Sequence, residues 1–183
     1  DRTLFIMGGG INALDSAIKN GISANVAGGT HHAHYDYGSG YCIFNDIALT
    51  ANYCKNKYKE YQNILVLDLD VHQGDGSATM LKDVESVFTF SMHCGENFPL
   101  KKQKSDLDVE LEKGTGDEKY IEILEENLYR LKSIQFDIVF FQAGVDSLKF
   151  ESLGHLNLTQ DGMKKRNELV LDFCATKNLP LLI

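Results

Sequence analysis

Nine residues, "DLDVHQGDG" at 68–76, hold three aspartates and a histidine directly after the apolar run Ile64-Leu65-Val66-Leu67. In extended backbone, side chains two positions apart share a face. Asp68, Asp70 and His72 therefore point one way, and Leu67, Leu69 and Val71 the other. Three polar groups on one side of a buried strand are costly unless they are paired or hold a cation. A carboxylate and an imidazole suit Zn²⁺, and a catalytic zinc takes about three protein ligands with one position left open. Asp70 and His72 supply two. Asp146, in "AGVDS" behind another apolar run, is the natural third, although on its own it reads as a turn or helix-capping residue.

A metal-activated water needs a general base, and histidine has the right pKa. His31 and His32 are adjacent in a loop bounded by Gly28-Gly29 before and by Gly38 and Gly40 after. Alone, such a pair serves equally well as surface residues. As a catalytic pair, each would need an orienting partner, most simply a carboxylate. Asp68 and Asp75 are the spare carboxylates of the cluster. Gly74 and Gly76 read as glycines that let the chain turn away from the metal.

The positioning elements follow from periodicity. Residues 11–19 are helix-like after the triple glycine Gly8-Gly9-Gly10, and "GISANVAGG" reads as a short strand into a glycine-rich loop. Residues 45–58 carry Ile47, Ala48, Ala51 and Cys54 at helical spacing, with Asn45 or Asp46 as N-cap. "NILVLDL" is a strand buried on both faces. Residues 86–93 form a further strand, 116–133 the longest amphipathic helix, 136–144 another strand and 159–177 a helix opening on Thr159 without a capping box. "LPLLI" would be the next strand. This alternation implies α/β architecture with parallel βαβ units, whose ligands sit beyond the carboxyl ends of the strands.

The 183 residues suit one domain, and 43% hydrophobic with 24% charged residues is ordinary for a globular chain. A formal net charge of −8 argues against direct nucleic-acid binding. No stretch approaches the ~18 apolar residues of a membrane helix, and no signal peptide opens the chain. Cys42, Cys54, Cys94 and Cys174 form no C-x-x-C pair and fit reduced thiols in a cytoplasmic enzyme.

The stretches "GGTHHAHYDYGSGYCIFNDIALT", "VLDLDVHQGDG" and "FFQAGVDSLKFESLGHLNLT" together resemble the histone deacetylases, within the wider arginase/deacetylase fold. "VELEKGTGDEKYIEILEENL" and "LTQDGMKKRNELVLDFC" look most like the class IV branch and its bacterial relatives. Order and spacing agree across nearly the whole chain. The resemblance implies one three-layer αβα catalytic domain over 1–183 with a parallel central sheet, incomplete at both ends. It implies zinc-dependent hydrolysis of acyl-lysine amides in a protein or peptide, in the cytoplasm, or the nucleus of a eukaryote. Asp70, His72 and Asp146 would hold the metal, His32 would be general base and then acid, and His31 its electrostatic neighbour. Asp68 would orient His31, and Asp75 would orient His32. Gly40, Tyr41 and Phe98 would line an acyl-lysine channel. A K⁺ or Na⁺ would sit by Asp68, Asp70, His72, Ser91 and Met92.

The family also supplies an oxyanion-holding Tyr from a Gly-Gly-Tyr segment after the next strand. This chain stops at Ile183, where that segment would begin. Loss of one oxyanion donor costs ~100–1,000-fold elsewhere, so this piece alone is expected to be poorly active. Three other readings are a small-amide hydrolase such as an acetylpolyamine deacetylase, a two-metal arginase relative, and a non-catalytic module. The arginase reading lacks the second-metal carboxylates, because Gln73-Gly74-Asp75 follows His72 and Ala143-Gly144-Val145 precedes Asp146.

Overall fold

A computed structural model describes all 183 residues. Six strands form one wholly parallel sheet. They are β1 (Ile22–Ser23), β2 (Ile64–Asp68), β3 (Val87–Cys94), β4 (Leu107–Leu111), β5 (Ile138–Gln142) and β6 (Leu181–Leu182), in spatial order β1-β6-β5-β2-β3-β4. The helices are α1 (Arg2–Asn20), α2 (Asp46–Lys57), α3 (Asp75–Leu81), α4 (Asp117–Leu131) and α5 (Gln160–Lys177).

Side-chain alternation divides the core in two. Leu65, Leu67, Leu69 and Val71 join Phe90, Met92, Val139 and Phe141 under α4 and α5. Ile64 and Val66 join Val87, Ile138 and Phe140 under α1, α2 and α3. The result is the three-layer αβα arrangement expected from the alternating pattern. Asp68 continues the face of Ile64 and Val66 at the point where that helical layer gives way to the loop 28–34.

The chain builds β2, β3 and β4 outward in one direction, then returns to lay β5 on the other side of β2. This reversal is a topological switch point, where loops leave adjacent strands in opposite directions and open a crevice. The residues after β2 and β5 are those carrying Asp70 and Asp146.

The first helix differs from the sequence expectation. It begins at Arg2 and runs straight through Gly8-Gly9-Gly10 instead of starting after them. Met7, Gly10, Leu14 and Ala17 form its buried stripe. A Cβ on Gly10 would lie 2.8 Å from Thr50 Oγ1 of α2, and one on Gly9 3.0 Å from Asn25 Oδ1. These glycines are set by close approach, which periodicity does not register. Two short elements went unread as well: the seven-residue α3 and the half-exposed edge strand β4, "LDVEL", whose alternation spans only five positions. Asn45 is the N-cap of α2, its Oδ1 accepting from Ala48 N at 2.8 Å. Thr159 caps α5 through a bond from Gly162 N.

Gly8 has open space around its missing Cβ. Gly8→Ala is expected to stabilise the protein by about 0.5–1 kcal/mol through helix propensity. Gly10→Ala should instead destabilise it, because buried Thr50 is β-branched and cannot swing aside. Urea unfolding of both variants checks the opposite signs.

Candidate metal centre and catalytic site

Asp70, His72 and Asp146 each offer a ligand atom, and these atoms lie within 4.8 Å of one another. His72 Nδ1 is 2.9 Å from Asp146 Oδ2 and 3.1 Å from Asp70 Oδ1. The loop after β2 and the loop after β5 thus meet around one imidazole nitrogen. Asp146 also accepts from Val71 N at 3.2 Å, which ties the two loops together. Gly144 makes the approach feasible, since a Cβ there would collide with the Asp70 carboxylate. Two hard carboxylates and an imidazole converging, with no lysine or arginine paired to them, suit a divalent metal such as zinc.

The histidine pair sits beside this cluster. His31 Nδ1 and Asp68 Oδ2 are 2.7 Å apart, and so are His32 Nδ1 and Asp75 Oδ1. The rings of His31 and His32 are 4.1 Å apart, and His32 stands edge-on to His72 at 5.8 Å. His31 Nε2 lies 3.8 Å from Asp70 Oδ1.

These neighbours set the charge states. Burial disfavours a cationic His31, but Asp68 and Asp70 outweigh it and raise its pKa to about 10. Burial likewise opposes charge on His72, yet Asp146 and Asp70 raise it to about 9. Burial would raise Asp70 too, but His31 and His72 hold its carboxyl well below the usual range. His32 behaves differently: burial dominates, and with the neighbouring His31 it outweighs Asp75 to lower its pKa. A divalent ion on Asp70 would take over part of the negative field that now protonates His31 and His72.

The loop carrying the histidines is pinned by α2 and α3. Asn45 Nδ2 donates to His31 O, Ala33 O and Ser77 Oγ, each at 3.1 Å. Asp46 accepts from Gly29 N, Thr30 N and Thr30 Oγ1. Gly74 and Gly76, read in the sequence as glycines that let the chain turn away, have no positive φ. They permit contact: a Cβ on Gly74 would strike Asp68, and one on Gly76 the His32–Ala33 backbone.

Of the channel residues, Phe98 stands edge-on to His32 with centroids 5.0 Å apart. Gly40, at φ +51°, lies so close to the His32 ring that a Cβ would overlap it. Tyr41 extends into solvent, fully exposed. At the expected monovalent-cation position, Asp68 pairs in register with Ser91. The Ser91 hydroxyl is 2.9 Å from His93 Nδ1, and the Met92 side chain lies in the core. A separate cavity of about 460 Å³ reaches Asp70 from the α1–α2 side, past Gly28, Gly29 and Gln142.

Three polar residues of the site went unread in the sequence. His34 contacts the second oxygen of Asp75 at 3.2 Å and Thr79 Oγ1 at 2.8 Å. Asn97, buried, donates to Leu153 O, accepts from His155 N and lies 3.5 Å from His72 Nε2. Arg166 is wholly buried within α5. The "HHAH" spacing was the only signal for His34, and the other two had none.

A parallel αβα sheet with a carboxylate–histidine–carboxylate cluster and two Asp-paired histidines at its switch point defines the class to which this chain is similar. All 183 residues match the model of the histone deacetylase domain, and the chain belongs to that family. It is 46% identical over 181 residues to an uncharacterised protein of Picosynechococcus sp., covering 98% of this chain and 60% of that one. Histone deacetylase 2 of Arabidopsis thaliana is 33% identical over 181 residues, 97% of this chain and 46% of the relative. Human histone deacetylase 1 is 34% identical over 174 residues, covering 88% and 35%. The crystal structure of a histone deacetylase homologue from Aquifex aeolicus superposes with a TM-score of 0.85 at 26% identity, over 97% of this chain and 50% of that one. A complex of such a homologue with SAHA matches equally well. The chain thus spans about half the length of the relatives it matches. No helix is long and apolar enough to cross a membrane.

Gly144→Ala is expected to push Asp70 out of the cluster and weaken zinc affinity about tenfold or more, as lost supporting contacts do at metal sites. Competition with a chromophoric chelator measures this, and an unchanged affinity would show that the glycine plays no part in forming the site.

Proposed function

We propose that the protein to which this chain belongs hydrolyses acyl-lysine amides at the Asp70–His72–Asp146 cluster. The observation that carries this reading is the convergence of those three ligand atoms beside His32, whose ring is flanked by Phe98 and Gly40. Zn²⁺ held by Asp70, His72 and Asp146 would supply Lewis acidity toward the amide carbonyl and toward water.

The chain's own residues account for proton handling and positioning. Asp75 holds His32 Nδ1, which leaves Nε2 as the free nitrogen of the base. The depressed pKa keeps His32 neutral near pH 7 and able to accept a proton. That proton then passes from Nε2 to the departing lysine amine. His31, locked by Asp68, balances the field of Asp70 next to the base. Phe98 and Gly40, both against the His32 ring, would wall a channel for the lysine stem, with the exposed Tyr41 at its rim. The opposite charges of Asp68 and a K⁺ or Na⁺ at the β2–β3 junction would steady the backbone below the metal.

The acyl donor is a lysine side chain of a protein or peptide, or a small acylated amine. The family membership and the SAHA-bound neighbour support this substrate class.

Deacylation of acetyl-lysine and long-chain acyl-lysine peptides by the full-length protein tests the reading. Asp146→Asn and His32→Ala should each lower kcat/KM by about 100-fold or more. Zinc content should fall for Asp146→Asn and hold for His32→Ala. Wild-type rates in both variants would refute the assignment.

A further inference from the structure

The segment "LTQDGMKKRNELVLDFC" places an arginine on the core-facing stripe of α5. Met163, Arg166, Val170, Phe173 and Cys174 are its buried residues after Gly162. Arg166 is fully buried, yet no carboxylate bonds to it. A buried cation is costly unless every donor finds an acceptor. Here all five do. Nη1 donates to Leu69 O at 3.1 Å and Gly144 O at 2.7 Å. Nη2 donates to Ala143 O at 3.3 Å, and Nε and Nη2 share Asn167 Oδ1 at 3.0 and 2.9 Å. The face of Phe141 lies 5.7 Å away.

The three carbonyls occupy informative positions. The β2–β5 pairing ends with the bond from Leu69 N to Gln142 O. Beyond it the two segments diverge, one to Asp70 and the other to Asp146. Leu69 immediately precedes Asp70, and Ala143 and Gly144 precede Asp146. The guanidinium therefore bridges the two backbones just past the last β2–β5 ladder bond. Gly144, one of the bridged residues, packs directly on Asp70.

We propose that Arg166 is a positioning residue for the metal centre, clamping the Leu69, Ala143 and Gly144 carbonyls and so setting the spacing of Asp70 and Asp146. This rests on the metal-site reading above. A lysine cannot reproduce it, because three rotatable donors on a point charge do not replace a planar five-donor fork. Arg166 touches neither substrate nor metal and acts only through the backbone.

The test uses the full-length protein, stripped of metal and titrated with Zn²⁺ against a chelator, and separately with Co²⁺ to record the ligand-field spectrum. Arg166→Met should weaken zinc binding 10–100-fold and alter the Co²⁺ spectrum. Arg166→Lys should fall between wild type and Arg166→Met. Asn167→Ala, which removes only the acceptor that orients the guanidinium, should shift affinity in the same direction by less. If Arg166→Met fails to fold, the Asn167→Ala comparison decides. Zinc affinity and Co²⁺ spectra unchanged in folded variants, with thermal stability lowered equally in apo and loaded protein, would overturn the proposal and leave a core-filling role. A wild-type protein that binds neither ion would instead overturn the metal-site reading itself.

Discussion

Four aspartates, Asp68, Asp70, Asp75 and Asp146, converge at the carboxyl edge of one parallel sheet, and the first three are almost fully buried. Desolvating that much negative charge is the constraint around which the structure is arranged. No lysine or arginine forms an ion pair with these aspartates; histidines do, His31 with Asp68, His32 and His34 with Asp75, and His72 with Asp70 and Asp146. The arrangement leaves Asp70 and Asp146 sharing a single imidazole nitrogen, so the centre retains capacity for a divalent ion.

The sheet supplies what the charges need. Alternation along β2 sends leucines to one core and Asp68 to the other face, so polar and apolar demands are met by the same strand. The switch between β2 and β5 brings sequence-distant loops side by side without any special local motif. Glycines do the remaining work by absence. At positions 40, 74, 76 and 144 a single methyl group would strike His32, Asp68, Asp70 or the His32–Ala33 backbone. The fold and the site are therefore one packing problem, and Arg166 and Asn45 solve it largely by holding backbone carbonyls.

Much of this was legible in the sequence. Continuous apolar runs located β2, β3 and β5, and their alternation with amphipathic α4 implied the parallel sheet. The i, i+2, i+4 spacing of Asp68, Asp70 and His72 indicated a shared face, with Leu67, Leu69 and Val71 opposite, and those three apolar residues are buried in the core under α4 and α5. What escaped was whatever depends on tertiary contact. The triple glycine reads as a break, because propensity cannot see that Thr50 and Asn25 lie against Gly10 and Gly9. Gly74 and Gly76 look like turn formers, whereas their role is close approach. Arg166 carried no signal, since only the fold reveals that its stripe faces the core. β4 alternates acidic and apolar residues over five positions, too short and too polar to stand out.

The central claim is that Asp70, His72 and Asp146 form one divalent-metal centre served by His32. A crystal structure of the zinc-loaded protein, with anomalous data collected on both sides of the zinc edge, tests it most directly. The account predicts one strong peak bonded to those three side chains, with the His32 ring beside its open position. A second metal of equal occupancy, or zinc bound elsewhere while this cluster stays empty, would contradict it.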